Sequence, residues 1–162
     1  MNVRIVVMGP SGSGKSTVGF ALAERIGALF VDGDDLHPEA NVAKMAAGVP
    51  LDDADRMPWL QLVGATLQES PNIVIACSAL KRRYRDAIRA EAPDAFFGEL
   101  AIARRTLAER MLSRGEHFMP ASLLDSQLQT LEPLREDERG IRIDESADVA
   151  TAAARIAEAA AA

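Results

Sequence analysis

The stretch that decides the fold of this chain is GPSGSGKST, residues 9–17. It matches G-x-x-x-x-G-K-[ST], a glycine-rich loop between a strand and a helix whose backbone N–H groups surround phosphates. The flanks agree: the apolar run 3–8 is typical of a buried strand, and Val18, Leu22 and Ile26 share one face of the helix that follows. A glycine-rich turn that matched by chance would not have both flanks. The sequence therefore predicts a site for a nucleoside triphosphate.

Each residue type in this loop has a chemical role in binding a nucleotide. The glycines allow backbone conformations that are closed to residues with a Cβ, so that successive N–H groups can point inward. Lys15 supplies a mobile positive charge for the β- and γ-phosphates, and Ser16 supplies a hydroxyl ligand for Mg²⁺. The loop residues predicted to bind ATP are Gly9, Ser11, Gly12, Ser13, Gly14, Lys15, Ser16 and Thr17.

Length, charge and cysteine content exclude several classes of protein. A chain of 162 residues fits one domain, 1–162, and its net charge of −6 argues against a nucleic-acid partner. Cys77 is the single cysteine, so neither an internal disulfide nor a multi-cysteine metal site can form. The N-terminal apolar run is too short for a secretion signal, and no segment is long enough to span a membrane. We therefore expect a cytoplasmic protein that acts on small molecules.

Predicted strands and helices alternate along the whole chain. Strands are expected near residues 3–8, 28–31, 73–76, 96–102 and 140–144. This pattern predicts an α/β protein with a five-stranded parallel sheet and helices on both faces. We expect an acidic turn at residues 51–55, a helix from about Pro58 to Glu69, and a small mobile lid at about 110–120. Ligands of such sheets bind beyond the carboxyl ends of the strands.

Short motifs and the residues at the strand ends distinguish the classes of protein that contain this phosphate loop. The chain lacks the N-K-x-D signature of GTPases, and its third strand ends in Cys77-Ser78 rather than in a carboxylate. Strand two ends in Asp32 and Asp34, which favours a small kinase. If that segment is extended, both carboxylates point the same way. One would take the proton of the acceptor hydroxyl and the other would assist Mg²⁺. The assignment between them is open, and a solvated acidic turn is the alternative.

Longer motifs give the chain a family resemblance. These motifs are VDGDDLHP at 31–38, NVAKMAAGVPLDDADRMPWL at 41–60, CSALKRRYRD at 77–86 and HFMPASLLDSQLQTLEP at 117–133. Together with the loop they resemble the small P-loop gluconokinases, relatives of shikimate kinase and the nucleoside monophosphate kinases. The resemblance implies the three-layer P-loop kinase fold, and phosphorylation of D-gluconate at its 6-hydroxyl by ATP with Mg²⁺, often by a homodimer.

The acceptor residues follow partly from chemistry and partly from this resemblance. Arg56 offers a fork for a carboxylate, although a surface ion pair with a neighbouring aspartate is the alternative. Lys81 and Arg85 lie one helical turn apart, so both could reach one anion. The predicted substrate-binding residues are Asp34, His37, Arg56, Ser78, Lys81, Tyr84, Arg85 and His117. The predicted metal residues are Ser16 and Asp32, and the predicted catalytic residues are Lys15, Asp34 and Arg114.

The presumed lid contributes arginines and one histidine. Arg110 is predicted to bind ATP, and Arg114 to neutralise charge on the transferring phosphoryl group while water is excluded. Where relatives commonly read RKGHF, this chain reads RGEHF, so Glu116 stands near an anionic site.

Two rival functions remain from sequence alone. The first is a small P-loop kinase for another acceptor, such as shikimate or a nucleotide. The second, from a different class, is a regulatory module that binds ATP without catalysis. The paired carboxylates after strand two argue against the second, because a pure switch needs no acceptor pocket.

Overall fold

A computed structural model describes residues 2–113 and 121–162. The elements follow the alternation expected from the sequence. They are β1 (Val3–Met8), α1 (Lys15–Ile26), β2 (Leu29–Asp32), a 3₁₀ turn (Gly33–Leu36), α2 (Glu39–Ala46), α3 (Asp53–Glu69), β3 (Asn72–Ala76), α4 (Arg82–Glu91), β4 (Phe96–Ala101), α5 (Arg104–Ser113), α6 (Ala121–Thr130), β5 (Gly140–Asp144) and α7 (Val149–Ala161).

The five strands form one parallel sheet in the order β2-β3-β1-β4-β5. The central strand β1 pairs with β3 on one side, where Val7 lies opposite Ala76, and with β4 on the other, where Met8 lies opposite Glu99. The predicted P-loop kinase fold is confirmed. Because β1 is central, the phosphate loop that follows it lies between the two halves of the sheet.

Both faces of the sheet are covered, which explains why β1 reads as a continuous apolar run. Val6 and Met8 pack with buried residues of α3 and α4, such as Leu60. Ile5 and Val7 pack on the opposite face with α1 and α7. The side chains of β1 thus alternate between two separate cores, and both cores fix the position of the loop. Within the described ranges, no helix has the length and apolar composition needed to cross a membrane.

Two local expectations were wrong. Helix α3 does not begin near Pro58 but at Asp53, because Asp52 accepts the backbone N–H of Asp55 and the Asp55 side chain accepts the N–H of Asp52. This reciprocal capping draws the acidic segment into the first helical turn. The segment after β2 is also not extended, since Asp32 caps the 3₁₀ turn by accepting the N–H of Asp34.

Candidate active site

The phosphate loop ends in a helix whose first turn is open to an anion. Gly14 precedes α1 with φ of +86° and has no side chain that could cap the helix. The N–H groups of the first turn therefore lack a side-chain acceptor there, and the helix dipole favours a negative ligand. Gly9 leaves no room for a side chain, because a Cβ at that position would lie 2.6 Å from the hydroxyl oxygen of Ser13. The loop has the geometry of a phosphate cradle.

A pocket with a volume of about 220 Å³ adjoins the loop on the β4–β5 side. Gly12, Gly14 and Thr17 form its loop wall, and the carboxyl ends of β4 and β5 with the start of α7 form the rest. Arg110 lies at its edge, and its Nη1 donates to the carbonyl oxygen of Gly12 at 3.0 Å. An adenine base would suit this pocket, because Val18, Ile143 and other apolar side chains complete its lining. We name it the base pocket.

The carboxylates after β2 lie on the other side of the loop. Asp32 reaches the loop directly, since the Ser16 hydroxyl donates to its Oδ2 at 3.5 Å, while its Oδ1 accepts the N–H of Asp34 at 3.0 Å. The Asp34 side chain is exposed. Burial raises the pKa of the Cys77 thiol to about 12, and charge from Lys15, Asp34 and Asp32 also acts on it. Cys77 itself is a protonated core residue.

The oxygen atoms at this point fit a magnesium ion. Ser16 and Asp32 offer one hydroxyl and one carboxylate beside the loop, and Mg²⁺ prefers a few such oxygens together with phosphate oxygens and water. Among the described residues, no group of three or more His, Cys, Asp or Glu side chains forms a metal site.

His37 and Trp59 stack against each other close to the turn after β2. The buried Trp59 donates its indole N–H to the carbonyl oxygen of Gly33 at 2.8 Å, and its ring stacks on His37 with 4.1 Å between centroids. Burial lowers the pKa of His37, with Asp34 opposing that shift and Arg56 adding to it. The Asn41 amide lies 3.2 Å from Nδ1 of His37. Because an amide NH₂ can only donate, Nδ1 is the acceptor, and Nε2 carries the proton of a neutral ring.

Cationic side chains gather around Asp53 at the start of α3. Its Oδ1 accepts the Tyr84 hydroxyl at 2.5 Å, and its Oδ2 lies 2.5 Å from Nη1 of Arg83. Arg56 and Lys81 each lie 3.9 Å from Oδ1, and each lies 5.6 Å from the centroid of the Tyr84 ring. Three positive charges thus face one carboxylate. We name these five residues the Asp53 cluster.

Hydrogen bonding and burial set the protonation states of Asp53 and Tyr84 in the Asp53 cluster. The hydrogen bond from Tyr84 is the main cause that lowers the pKa of Asp53, and the charges of Lys81, Arg83 and Arg56 act in the same direction. Burial, followed by the bond to Asp53, raises the pKa of Tyr84 to about 12. At neutral pH the cluster therefore holds a carboxylate, a neutral phenol and three cations, which leaves a surplus of two positive charges.

Arg85 does not join this cluster, contrary to the sequence prediction. Its side chain is 0% exposed, and Nε and Nη2 donate to the two oxygens of Glu138 at 2.7 and 3.0 Å. Its Nη1 donates to the carbonyl oxygen of Ala79, whose φ of +43° is rare for a residue with a Cβ. All three nitrogens of Arg85 are thus engaged inside the protein, and the buried side chain is not open to a ligand. The residue instead stabilises the turn that carries Ser78 and Lys81.

The remaining predicted residues divide by location. Lys15 and Ser16 lie on the loop side, and Ser78 is half-buried just after β3. Arg114 and His117 lie outside the described residues. Sequence reasoning missed Gln127, which contacts the loop, and considered Asp53 only as one of three ion-pair partners for Arg56. The capping spacing Asp52-x-x-Asp55 was the available signal, because it fixes the helical position of Asp53.

The sheet order, the loop, the base pocket and the strand-two carboxylates together define a small P-loop kinase. A family model described as an AAA domain matches residues 5–134, and the chain belongs to that family. Relatives narrow the class further. The gluconokinase of Gluconobacter oxydans is 50% identical over 143 residues, which cover 86% of this chain and 80% of the relative. The thermosensitive gluconokinase of Escherichia coli is 43% identical, over 90% of this chain and 80% of the relative.

A solved structure agrees with these relatives. The crystal structure of a gluconokinase from Sinorhizobium meliloti superposes with a TM-score of 0.83 at 46% identity, covering 98% of this chain and 89% of that one. The chain belongs to the gluconokinase family, as its motifs predicted.

Proposed function

We propose that the protein transfers the γ-phosphoryl group of ATP to the 6-hydroxyl of D-gluconate, releasing 6-phospho-D-gluconate and ADP. One observation carries the proposal: the phosphate loop separates a base pocket on the β4–β5 side from a cationic cluster on the β2–β3 side. A nucleotide and an acid on opposite sides of the loop would meet at its centre. The gluconokinase relatives support gluconate as that acid.

Asp34 is the group we assign to the acceptor hydroxyl. Asp32 is engaged with Ser16 and with the turn backbone, whereas the Asp34 carboxylate is exposed beside the loop. As the hydroxyl oxygen bonds to the γ-phosphorus, the bond from phosphorus to the bridging oxygen of ADP breaks and the hydroxyl proton passes to Asp34. Lys15 would hold the β- and γ-phosphates during this transfer.

Ser16 and Asp32 would hold Mg²⁺ with the nucleotide. When bound, the ion neutralises phosphate charge and orients the γ-phosphoryl group. The hydroxyl of Ser16 contributes directly, and the carboxylate of Asp32 contributes directly or through water. This division leaves Asp34 free to act on the acceptor.

The Asp53 cluster would recognise the carboxylate of gluconate. Arg56 and Lys81 lie 3.9 Å from Asp53, beyond hydrogen-bond distance, and Nη1 of Arg56 donates to the Tyr84 hydroxyl oxygen at 3.3 Å. The other N–H groups of Arg56 and the ammonium of Lys81 would bind a second carboxylate. Both cations lie 5.6 Å from the centroid of the Tyr84 ring. The neutral His37, with a proton on Nε2, and the half-buried Ser78 are suited to gluconate hydroxyls.

The other roles expected from sequence complete the proposal. Arg110 would contact ATP from its position on Gly12. Arg114 in phosphoryl transfer, His117 in substrate binding and a lid at about 110–120 of a single domain remain predictions from the sequence. A homodimeric assembly and a cytoplasmic location are part of the same proposal.

ADP release with Mg-ATP tests the reaction, using gluconate, other sugar acids, shikimate and AMP as acceptors. Asp34→Asn should lower kcat on gluconate by about 10²- to 10⁴-fold, because general-base catalysis contributes that much. The neighbouring, equally exposed Asp35→Asn is the matched control and should retain activity. Turnover on another acceptor alone would overturn gluconate as the substrate. ATP binding without turnover on any acceptor would favour the regulatory module.

A further inference from the structure

Gln127 of α6 forms a two-point contact with the phosphate loop. Its side-chain oxygen Oε1 accepts the backbone N–H of Ser11 at 2.9 Å, and its Nε2 donates to the Ser11 hydroxyl at 3.3 Å. The two residues are 116 positions apart in sequence, so this contact exists only in the folded protein. Gln127 belongs neither to the base pocket nor to the Asp53 cluster.

The position of Ser11 indicates which phosphate this contact concerns. The next three residues, 12–14, line the base pocket on the β4–β5 side. Ser11 precedes them and lies against α6, whose chain then continues to the acceptor half, where the N–H of Glu132 donates to the carbonyl oxygen of Leu80 at 2.6 Å. A nucleotide with its base in the pocket extends its phosphates along the loop toward that half. Its terminal phosphate would then be the one nearest to Ser11 and Gln127.

A side-chain amide suits two successive tasks at this position. Without nucleotide, its oxygen satisfies an N–H of a loop that is otherwise built to bind anions. With ATP bound, the Ser11 N–H can turn to a phosphate oxygen, and the NH₂ of Gln127 can donate to the same group. A carboxylate could perform only the first task, since it accepts hydrogen bonds and repels phosphate.

Resting on the proposed function, we propose that Gln127 is a specificity-determining residue that binds the γ-phosphoryl group of ATP. It distinguishes ATP from ADP, because ADP lacks the group that Gln127 contacts. The residue thus links the presence of a transferable phosphoryl group to α6 and, through Glu132, to the turn after β3 on the acceptor half.

Binding of two nucleotides to the full chain with Mg²⁺ tests this proposal: ADP and the non-hydrolysable ATP analogue with a β,γ-imido bridge. Gln127→Glu should weaken binding of the analogue by about tenfold or more, the worth of one hydrogen bond to a charged group. Affinity for ADP should stay close to that of the unaltered protein. Gln129→Glu, the same change two residues away at an exposed position, should alter neither affinity.

Gln127→Ala provides a second variant without added charge and should show the same selective loss. Thermal unfolding of each variant confirms that it is folded. Equal loss of affinity for both nucleotides would mean that Gln127 only supports the loop, and unchanged affinity for the analogue would mean that it does not bind the γ-phosphate; either result overturns the proposal. Because gluconate is absent from these measurements, a failure here is distinct from a failure of the acceptor assignment.

Discussion

Two carboxylates in this protein each gather several cations, and the two sites differ in almost every other respect. Glu138 is enclosed: its side chain is 0% exposed and accepts hydrogen bonds from Arg85, Arg89 and the backbone N–H of Arg135. Asp53 has a side chain 34% exposed, and two of its three cations stand 3.9 Å away. Both carboxylate oxygens of Glu138 accept hydrogen bonds from protein donors. At Asp53, by contrast, two of the cations do not donate to the carboxylate.

Burial and hydrogen-bond pairing distinguish an arginine that stabilises the fold from a cation that is available to a ligand. Burial and the hydrogen bonds from Arg85, Arg135 and Arg89 act in opposite directions on Glu138, and the hydrogen bonds lower its pKa to about 2. A charge that is fully desolvated and fully paired has no capacity left for a ligand. A half-exposed cation just beyond hydrogen-bond distance retains that capacity. Helical spacing alone could not distinguish Arg85 from Lys81.

The largest effect should come from breaking the enclosed pair. Arg85→Met leaves Glu138 buried without its bidentate partner and should lower the free energy of unfolding by about 3–5 kcal/mol. Urea unfolding measures this loss. Arg83→Met is the same change on the exposed face of α4 and should stay within about 0.5 kcal/mol of the unaltered protein. Similar losses in the two variants would remove the distinction between the sites.

A smaller effect, on binding rather than stability, should come from the open cluster. Arg56→Ala should raise KM for gluconate by about 10- to 100-fold, because it removes one charge-assisted hydrogen bond to a carboxylate. Steady-state kinetics should show KM for ATP unchanged, and thermal unfolding should show little loss of stability. If KM for ATP rose equally, the cluster would not be specific to the acceptor.

The smallest effect should appear in the acid range. The pKa of Glu138 is about 2 in the folded protein, below its ordinary value of 4.5, so its stabilisation is present above pH 4.5 and is lost as pH falls toward 2. One such group contributes a slope of at most about 1.4 kcal/mol per pH unit. Unfolding between pH 5 and 3 should show a shallower slope for Glu138→Gln than for the unaltered protein. Asp53→Asn, at a partly exposed site, should keep more of the slope, and identical slopes in all three proteins would contradict the assignment.

The fold was predictable because its signals are local. The phosphate loop, the buried strand before it and the alternation of strands and helices each follow from short stretches of sequence. The start of α3 was missed because reciprocal capping by Asp52 and Asp55 outweighs the preference of Pro58 for a first turn. The carboxylates after β2 were found, although through a 3₁₀ turn rather than an extended segment.

The site was less predictable because its contacts join distant parts of the chain. Arg85 meets Glu138 across 53 residues, and Gln127 meets Ser11 across 116. Neither partner carries a local pattern that indicates the other. The motifs could therefore supply the residue types of the active site but not their pairing.

The central position of β1 has a consequence for how such an enzyme can change. In the proposed reaction, the residues that contact the acceptor come from the β2–β3 half, whereas the loop and the β4–β5 half line the base pocket. Mutations in the segment between β2 and α4 can therefore alter the molecule that is phosphorylated while the energy donor stays the same. Natural evolution or protein engineering could adapt the β2–β3 half to a new acceptor while the loop after β1 and the β4–β5 half stay unchanged.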